Sequence, residues 1–239
     1  LKRLKNALIH SNFDRRVMEI DVDASSTFDQ LSGQVQGALT AGTSEEERLN
    51  QMEALFKFFE DRTELTEADR SFLRQVLVNK TFKTEAYLLK ENQICNEIFF
   101  LVKGCVRLYY LVDGEEKTAF FYQENDFVSS YKSFTKKTPS THYIQACEQT
   151  EVVSISSEAA KKIVDYDPKF SFLAQELMEL ELSILQEIVA SFVALNAESR
   201  YLKLTEENPN LLQRIPQYHL ATFLGVRPET LSRIRAKLT

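Results

Sequence analysis

Ile215-Pro216-Gln217-Tyr218-His219-Leu220-Ala221-Thr222-Phe223-Leu224-Gly225-Val226-Arg227-Pro228-Glu229-Thr230-Leu231-Ser232-Arg233-Ile234-Arg235-Ala236-Lys237-Leu238-Thr239 is the stretch around which the rest of the chain is read. Two short helical patterns flank Gly225. The first carries Leu220, Ala221, Phe223 and Leu224. The second starts at Pro228, a favoured first helical residue, and sets Leu231, Ile234 and Leu238 on one face by three- and four-residue steps. Two short helices meeting at a glycine corner make a helix-turn-helix. The second helix is basic on its outer face. Such a helix fits the major groove of DNA with its first residues at the base edges.

Upstream of this corner the periodicity predicts one long helix from Pro168 to Asn196. Phe170, Leu173, Leu177, Leu180 and Ile184 follow a 3-4-3-4 spacing, and Ile188 extends the stripe. A seam of this kind needs a partner, and it reads as a dimer helix pairing with a second copy. Helices are also expected over Ser157 to Tyr166 and Glu198 to Thr205, with a turn at Asn208-Pro209-Asn210.

Between Asn79 and Ser156 the period falls to two. Lys80–Lys83, Tyr87–Lys90, Glu97–Val102, Val106–Val112, Thr118–Tyr122, Tyr143–Cys147 and Glu151–Ile155 are strand candidates rich in aromatic and β-branched residues. Lys103-Gly104 and Asp113-Gly114 read as hairpin corners. Strands at this spacing predict an antiparallel β-barrel or jelly roll. Two amphipathic helices, Met52 to Asp61 and Thr66 to Leu77, precede it. The fold class is therefore α+β. The expected divisions are an extension over 1–51, a sensor barrel over 52–167, the long helix over 168–196 and the helix-turn-helix domain over 197–239. Within the extension, Leu1 to Ile9 and Ser26 to Leu39 have helical spacing, and Ser44 stands three residues before Glu47 as in a capping box.

Composition narrows the function classes. At 239 residues and 44% apolar content the chain has room for a main domain and a smaller one. No run of about 18 apolar residues occurs, so no membrane span is expected. Net charge is −6, yet from Arg200 onward seven Lys/Arg face three Glu, giving +4 against −10 for the remainder. A basic module on an acidic body suits local attraction to phosphate. Cys95, Cys105 and Cys147 have no close spacing, which argues for a reducing, cytoplasmic setting and for buried structural thiols. His10, His142 and His219 are too scattered for a barrel metal site, and no phosphate loop or nucleophile elbow is present. No enzymatic activity, metal or cofactor is expected.

The order of helices, barrel, long helix and helix-turn-helix resembles the cyclic-AMP receptor and fumarate-nitrate-reductase regulator (Crp/Fnr) family of bacterial transcription factors over 52–239. Three stretches carry the resemblance: Ile98-Phe99-Phe100-Leu101-Val102-Lys103-Gly104-Cys105-Val106-Arg107-Leu108-Tyr109, then Glu124-Asn125-Asp126-Phe127, and Leu220 to Val226 with Glu229 to Ile234. It implies a dimeric, sequence-specific DNA-binding regulator whose barrel senses an effector. Double-stranded DNA, a second copy, RNA polymerase and an unidentified small molecule are the implied partners. The alternative is a ligand-independent regulator whose helix-turn-helix docks a protein.

By the same resemblance Glu229 accepts from a cytosine amino group and Arg233 pairs with guanine. Arg227, Thr230 and Ser232 are phosphate or base candidates, Arg235 and Lys237 backbone contacts, and Gln217 a phosphate contact. The chain also departs from the pattern. Members that bind cyclic nucleotide use a Gly-Glu pair for the ribose and a buried Arg for the phosphate. Here Phe127-Val128-Ser129-Ser130 and Pro139-Ser140-Thr141-His142 stand in those places. Phe127, Ser129, Ser130, Ser140 and Thr141 thus outline the expected effector pocket, which is not expected to take cyclic AMP. Lys132, Lys136 and Lys137 read as a solvated loop between them, and the two-stranded wing that family members carry after the recognition helix is absent or cut off here.

Overall fold

The computed structural model describes residues 45–238. Two helices come first, α1 (Glu45–Glu60) and α2 (Glu67–Val76). Thr66 and Asp69 close a reciprocal capping box at the start of α2. α1 runs unbroken across the boundary expected at 51/52, and Gln51 is buried, its Nε2 donating to Glu151 at 2.9 Å. The expectations for Leu1–Ile9, for 26–39 and for the Ser44 cap lie outside the described residues.

Eight strands follow: β1 (Val78–Phe82), β2 (Tyr87–Leu89), β3 (Glu97–Lys103), β4 (Val106–Val112), β5 (Glu115–Tyr122), β6 (Phe127–Val128), β7 (Tyr143–Ala146) and β8 (Thr150–Ser156). They form two antiparallel four-stranded sheets, ordered β1-β8-β3-β6 and β2-β7-β4-β5. The mixed α+β class with an antiparallel barrel is as expected. Phe82, Phe99, Leu101, Val106, Leu108, Ile144 and Val152 fill the space between the sheets. The alternate residues of β3, Ile98, Phe100 and Val102, pack outward beneath the helices. Both faces of β3 are therefore covered, which explains its unbroken apolar run.

Asp113-Gly114 is the hairpin expected, with both residues at positive φ and Val112 opposite Glu115. Lys103-Gly104 is not a hairpin. β3 and β4 belong to different sheets, and the chain crosses between them at this corner. Gly104 has φ +112°, and a Cβ there would lie 2.8 Å from the Thr150 Cα, so backbone proximity requires the glycine. Three elements were not foreseen: β6, helix α3 (Tyr131–Lys136) in the lysine segment expected as loop, and a short helix over Leu211–Arg214. Lys137 donates to Asn96 at 3.2 Å and to Ser157.

The C-terminal half is helical: α4 (Ser157–Tyr166), α5 (Pro168–Ala194), α6 (Ala197–Glu207), the short α7 (Leu211–Arg214), α8 (Gln217–Phe223) and α9 (Pro228–Leu238). Asp167 caps α5 by accepting from the Lys169 N–H, and Pro168 takes the first position. Part of the expected dimer seam of α5 is used within the chain itself. Phe170 and Leu173 are buried among Leu55, Phe59 and Phe100, with Leu177 packed beside them. Ile184 and Ile188 line a cavity within the chain's own fold. Leu180 and Ile184 nevertheless remain exposed on that side of the helix. A second stripe is also uncovered: Met178, Leu182 and Val189 are exposed, with Leu185 between them at 4-3-4 spacing, while Phe192 lines the same cavity as Ile184 and Ile188. The helix is apolar on two faces, and periodicity alone does not say which face meets its own barrel. Among the described residues no helix is long and apolar enough to cross a membrane.

Candidate nucleic-acid interface

The helix-turn-helix is built on its glycine. α8 ends at Leu224, and Gly225 follows at φ +69°. The Gly225 N–H donates to Thr222 O at 3.1 Å and the Val226 N–H to Ala221 O at 3.0 Å, the paired bonds of a Schellman turn. Arg227 O then accepts from the N–H groups of Thr230 and Leu231 as α9 begins. Leu220, Ala221, Leu224 and Leu231 are buried together, and Ile234 is buried one turn on. This core fixes the angle between the helices and leaves one side of α9 facing outward.

That outward side holds most of the residues expected to read DNA. Arg227, Glu229, Ser232, Arg233, Arg235 and Lys237 are exposed, Thr230 is half-buried, and Gln217 is exposed at the start of α8. Arg233 Nε donates to the main-chain oxygen of Glu229 at 3.4 Å rather than pairing with its carboxylate. The i,i+4 ion pair that the spacing allows is therefore not formed, and both charged ends project outward. Lys237 is paired with both oxygens of Glu198 at 2.9 Å, an exposed contact tying α9 to α6.

The opposite side of the module is seated on the outer face of the β4–β5–β7 sheet. Cys105 and Phe121 pack against Leu211, Ile215 and Leu220, and the Phe121 and Phe223 rings lie 5.3 Å apart. Thr222 Oγ1 donates to Thr118 Oγ1 at 3.1 Å and accepts from the Thr118 N–H at 3.3 Å. Arg214 is the main polar tie. It donates to both carboxylate oxygens of Glu124, at 2.8 and 2.9 Å, and to Glu148 at 2.9 Å. Burial raises the Glu124 pKa, but Arg214 and the Gly104 N–H outweigh it and hold the group below its usual range. Sequence reading missed this clamp because its partners are 90 and 66 residues from Arg214. His219 lies with Nδ1 4.0 Å from Glu116, and burial with nearby Arg107 pushes its pKa down to about 4.

The five residues expected to outline an effector pocket are not brought together as one lining. Phe127 packs against Phe58 and Phe100, at ring distances of 5.5 and 5.0 Å, in the cluster beneath α1. Ser129, Ser130 and Ser140 are buried, and their hydroxyls are used locally. Ser129 donates to Glu97 O at 3.0 Å, while Ser140 Oγ reaches Ser130 Oγ at 3.2 Å and His142 O at 2.9 Å. Thr141 is exposed. His142 is half-buried against Tyr110, and burial lowers its pKa. A cavity of about 330 Å³ lies elsewhere, bounded by β5, α5, α6 and the helix-turn-helix, with Asp126, Glu181, Ile188, Arg200 and Phe223 in its wall. Among the described residues no group of three or more His, Cys, Asp or Glu could hold a metal ion.

Residues 79–167 match the family model described as "Cyclic nucleotide-binding domain", so the barrel is a domain of that class. Solved structures extend the likeness in fold beyond the barrel. The chain is similar in structure to a CooA mutant from Carboxydothermus hydrogenoformans, at TM-score 0.55 and 20% identity, covering 74% of this chain and 84% of that one. It is also similar to FixK2 from Bradyrhizobium japonicum, at 0.56 and 17% over 68% and 84%. The regulator CLP of Xanthomonas campestris, titled as c-di-GMP responsive, is matched at 0.57 and 16% over 71% and 89%. The resemblance read from the sequence is borne out at the level of fold. No curated protein matches the chain.

Proposed function

We propose that this chain is a dimeric, sequence-specific DNA-binding transcription regulator. The observation that carries the reading is the division of α9. Leu231 and Ile234 are buried in the helix-turn-helix core, while Arg227 just before the helix and Glu229, Ser232 and Arg233 on its first two turns are exposed. Base-edge contacts come from that part of a recognition helix, with Arg233 suited to guanine and Glu229 to cytosine. Gln217, Thr230, Arg235 and Lys237 are assigned to the backbone or neighbouring bases, Lys237 after release from Glu198.

The dimer forms through the uncovered stripe of α5 at Met178, Leu182, Leu185 and Val189. Two such stripes bury one another in a parallel pair and set two recognition helices about one DNA turn apart. The barrel acts as the sensor. Its serine cluster lacks the charged anchors that neutralise a cyclic phosphate, so the effector is not a cyclic nucleotide held in that manner. The 330 Å³ cavity touches barrel, dimer helix and helix-turn-helix together and is the assigned effector seat.

Selection from a pool of random duplexes tests this reading. The expected product is an inverted repeat with half-site centres about 10 base pairs or a multiple apart. A pool that stays random through successive rounds contradicts it.

A further inference from the structure

Two thiols lie between the barrel and the helix-turn-helix. Val106 pairs with Ala146 on β4 and β7, so Cys105 and Cys147 stand opposite each other one step further on. The Cys147 N–H donates to Cys105 O at 2.8 Å. A hydrogen-bonded antiparallel pair has Cα atoms about 5.5 Å apart, inside the span that a disulfide bridges. Both side chains belong to the cluster that seats Leu211, Ile215, Leu220 and Leu224.

The two are not equivalent. Cys105 has no exposed surface, whereas Cys147 is partly open to solvent. The neighbouring Cys147 thiol and burial push the Cys105 thiol up. The Cys105 thiol, with Arg107 and Arg214 nearby, lowers that of Cys147 against the effect of burial. Thiolate character and access both favour Cys147 as the attacking sulfur. Cys95 differs from both. It lies in the barrel core, and its Sγ donates to Glu97 O at 3.2 Å.

We propose that Cys105 and Cys147 form a dithiol–disulfide modification site, oxidised by peroxides, beneath the seat of the helix-turn-helix. The Cys147 thiolate attacks one peroxide oxygen. A sulfur–oxygen bond forms, the oxygen–oxygen bond breaks, and the released hydroxide takes a proton to become water. The Cys105 sulfur then displaces hydroxide from this sulfenic acid and loses its own proton, giving the disulfide and a second water. The two sulfurs together lose two electrons and the peroxide gains them. The bond draws the sulfurs together under Leu211 and Ile215 and removes the Cys147 thiol from beside Arg107 and Arg214. The docking surface of the module therefore differs between the two redox states. The sequence suggested inert structural thiols because their spacing is long; pairing across the strands supplies what spacing hides.

The test uses the full chain, reduced and then exposed to hydrogen peroxide, followed by intact-mass measurement and peptide mapping. The expected product loses two hydrogens, links the Cys105 and Cys147 peptides within one chain, leaves Cys95 alkylatable and reverts with dithiothreitol. Cys105→Ser should instead leave a sulfenic acid at Cys147 that dimedone traps. Full retention of both thiols under peroxide that oxidises the unfolded chain, linkage between chains, or first reaction at Cys95 would each overturn the site. The effect on the module rests on the DNA-binding reading. Kd for duplex DNA should change about tenfold between reduced and oxidised protein, the size of an ordinary allosteric coupling, and not in Cys147→Ser. A disulfide with unchanged Kd overturns the coupling. Reduced protein with no affinity for DNA counts against the DNA-binding reading alone, since the mass measurement stands without it.

Discussion

Gly104 and Gly225 show how much a single residue's surroundings decide. Both have positive φ, but a Cβ on Gly225 would meet nothing nearer than Phe192 at 3.6 Å, while on Gly104 it would meet Thr150 backbone. Gly225→Ala should therefore cost about 1–2 kcal/mol, the left-handed penalty alone. Gly104→Ala should cost more, since strand β8 must also move; chemical denaturation of the two variants checks the order. Asp69 offers a second test. It is buried, caps α2 and pairs with Lys169 on α5 at 2.6 Å. Burial raises its pKa, but the hydrogen bonds from Lys169 and Thr66 prevail and lower it. A carboxylate with a depressed folded pKa stabilises above its unfolded value and loses that contribution as pH falls through the folded one. Asp69→Asn should thus cost about 2–3 kcal/mol at neutral pH. The gap from the parent should narrow as pH drops below 3.8. Melting curves across pH measure this, and a gap constant down to unfolding would contradict it.

At the scale of elements, legibility followed the locality of the cause. The start of α2 next to Thr66, the start of α5 at Pro168 and the Asp113-Gly114 hairpin are set by neighbours in sequence, and each was readable there. The Lys103-Gly104 corner has the same composition as a hairpin, yet its strands go to different sheets, a choice made by β8 and Thr150 far along the chain. α5 is the sharper case. Its length and ends were legible, but its two apolar faces were not distinguishable until the barrel covered one. This yields a test. Leu182→Glu combined with Val189→Glu should leave the fold intact, with a melting temperature close to the parent monomer's, and give a monomer by light scattering. Leu173→Glu buries a charge in the core and should fail to fold. An unchanged dimer in the Leu182/Val189 variant would show that the pairing uses another surface.

Across the whole molecule, the candidate site was legible in its outward half and hidden in its inward half. The exposed residues of α9 follow from helical spacing around Leu231 and Ile234. The seat on the barrel does not, because Arg214, Thr222 and Cys147 meet partners from far along the chain. Arg214 joins two half-exposed carboxylates, so Arg214→Ala should cost only about 1–2 kcal/mol after solvent screening. Its effect on domain seating should exceed its effect on stability. Faster hydrogen exchange over α7 and α8, with the barrel strands unchanged, is the expected signature.

DNA binding is the claim on which the functional reading stands, and its salt dependence tests it most directly. Fluorescence anisotropy of a labelled duplex should show affinity falling steeply between about 50 and 200 mM salt as phosphate counterions are released. Arg233→Ala should weaken binding to the selected sequence by about 1–3 kcal/mol while leaving the salt slope nearly unchanged, as loss of a base contact requires. Absence of binding at low salt, or an affinity indifferent to both salt and Arg233, would contradict a nucleic-acid role for this helix-turn-helix.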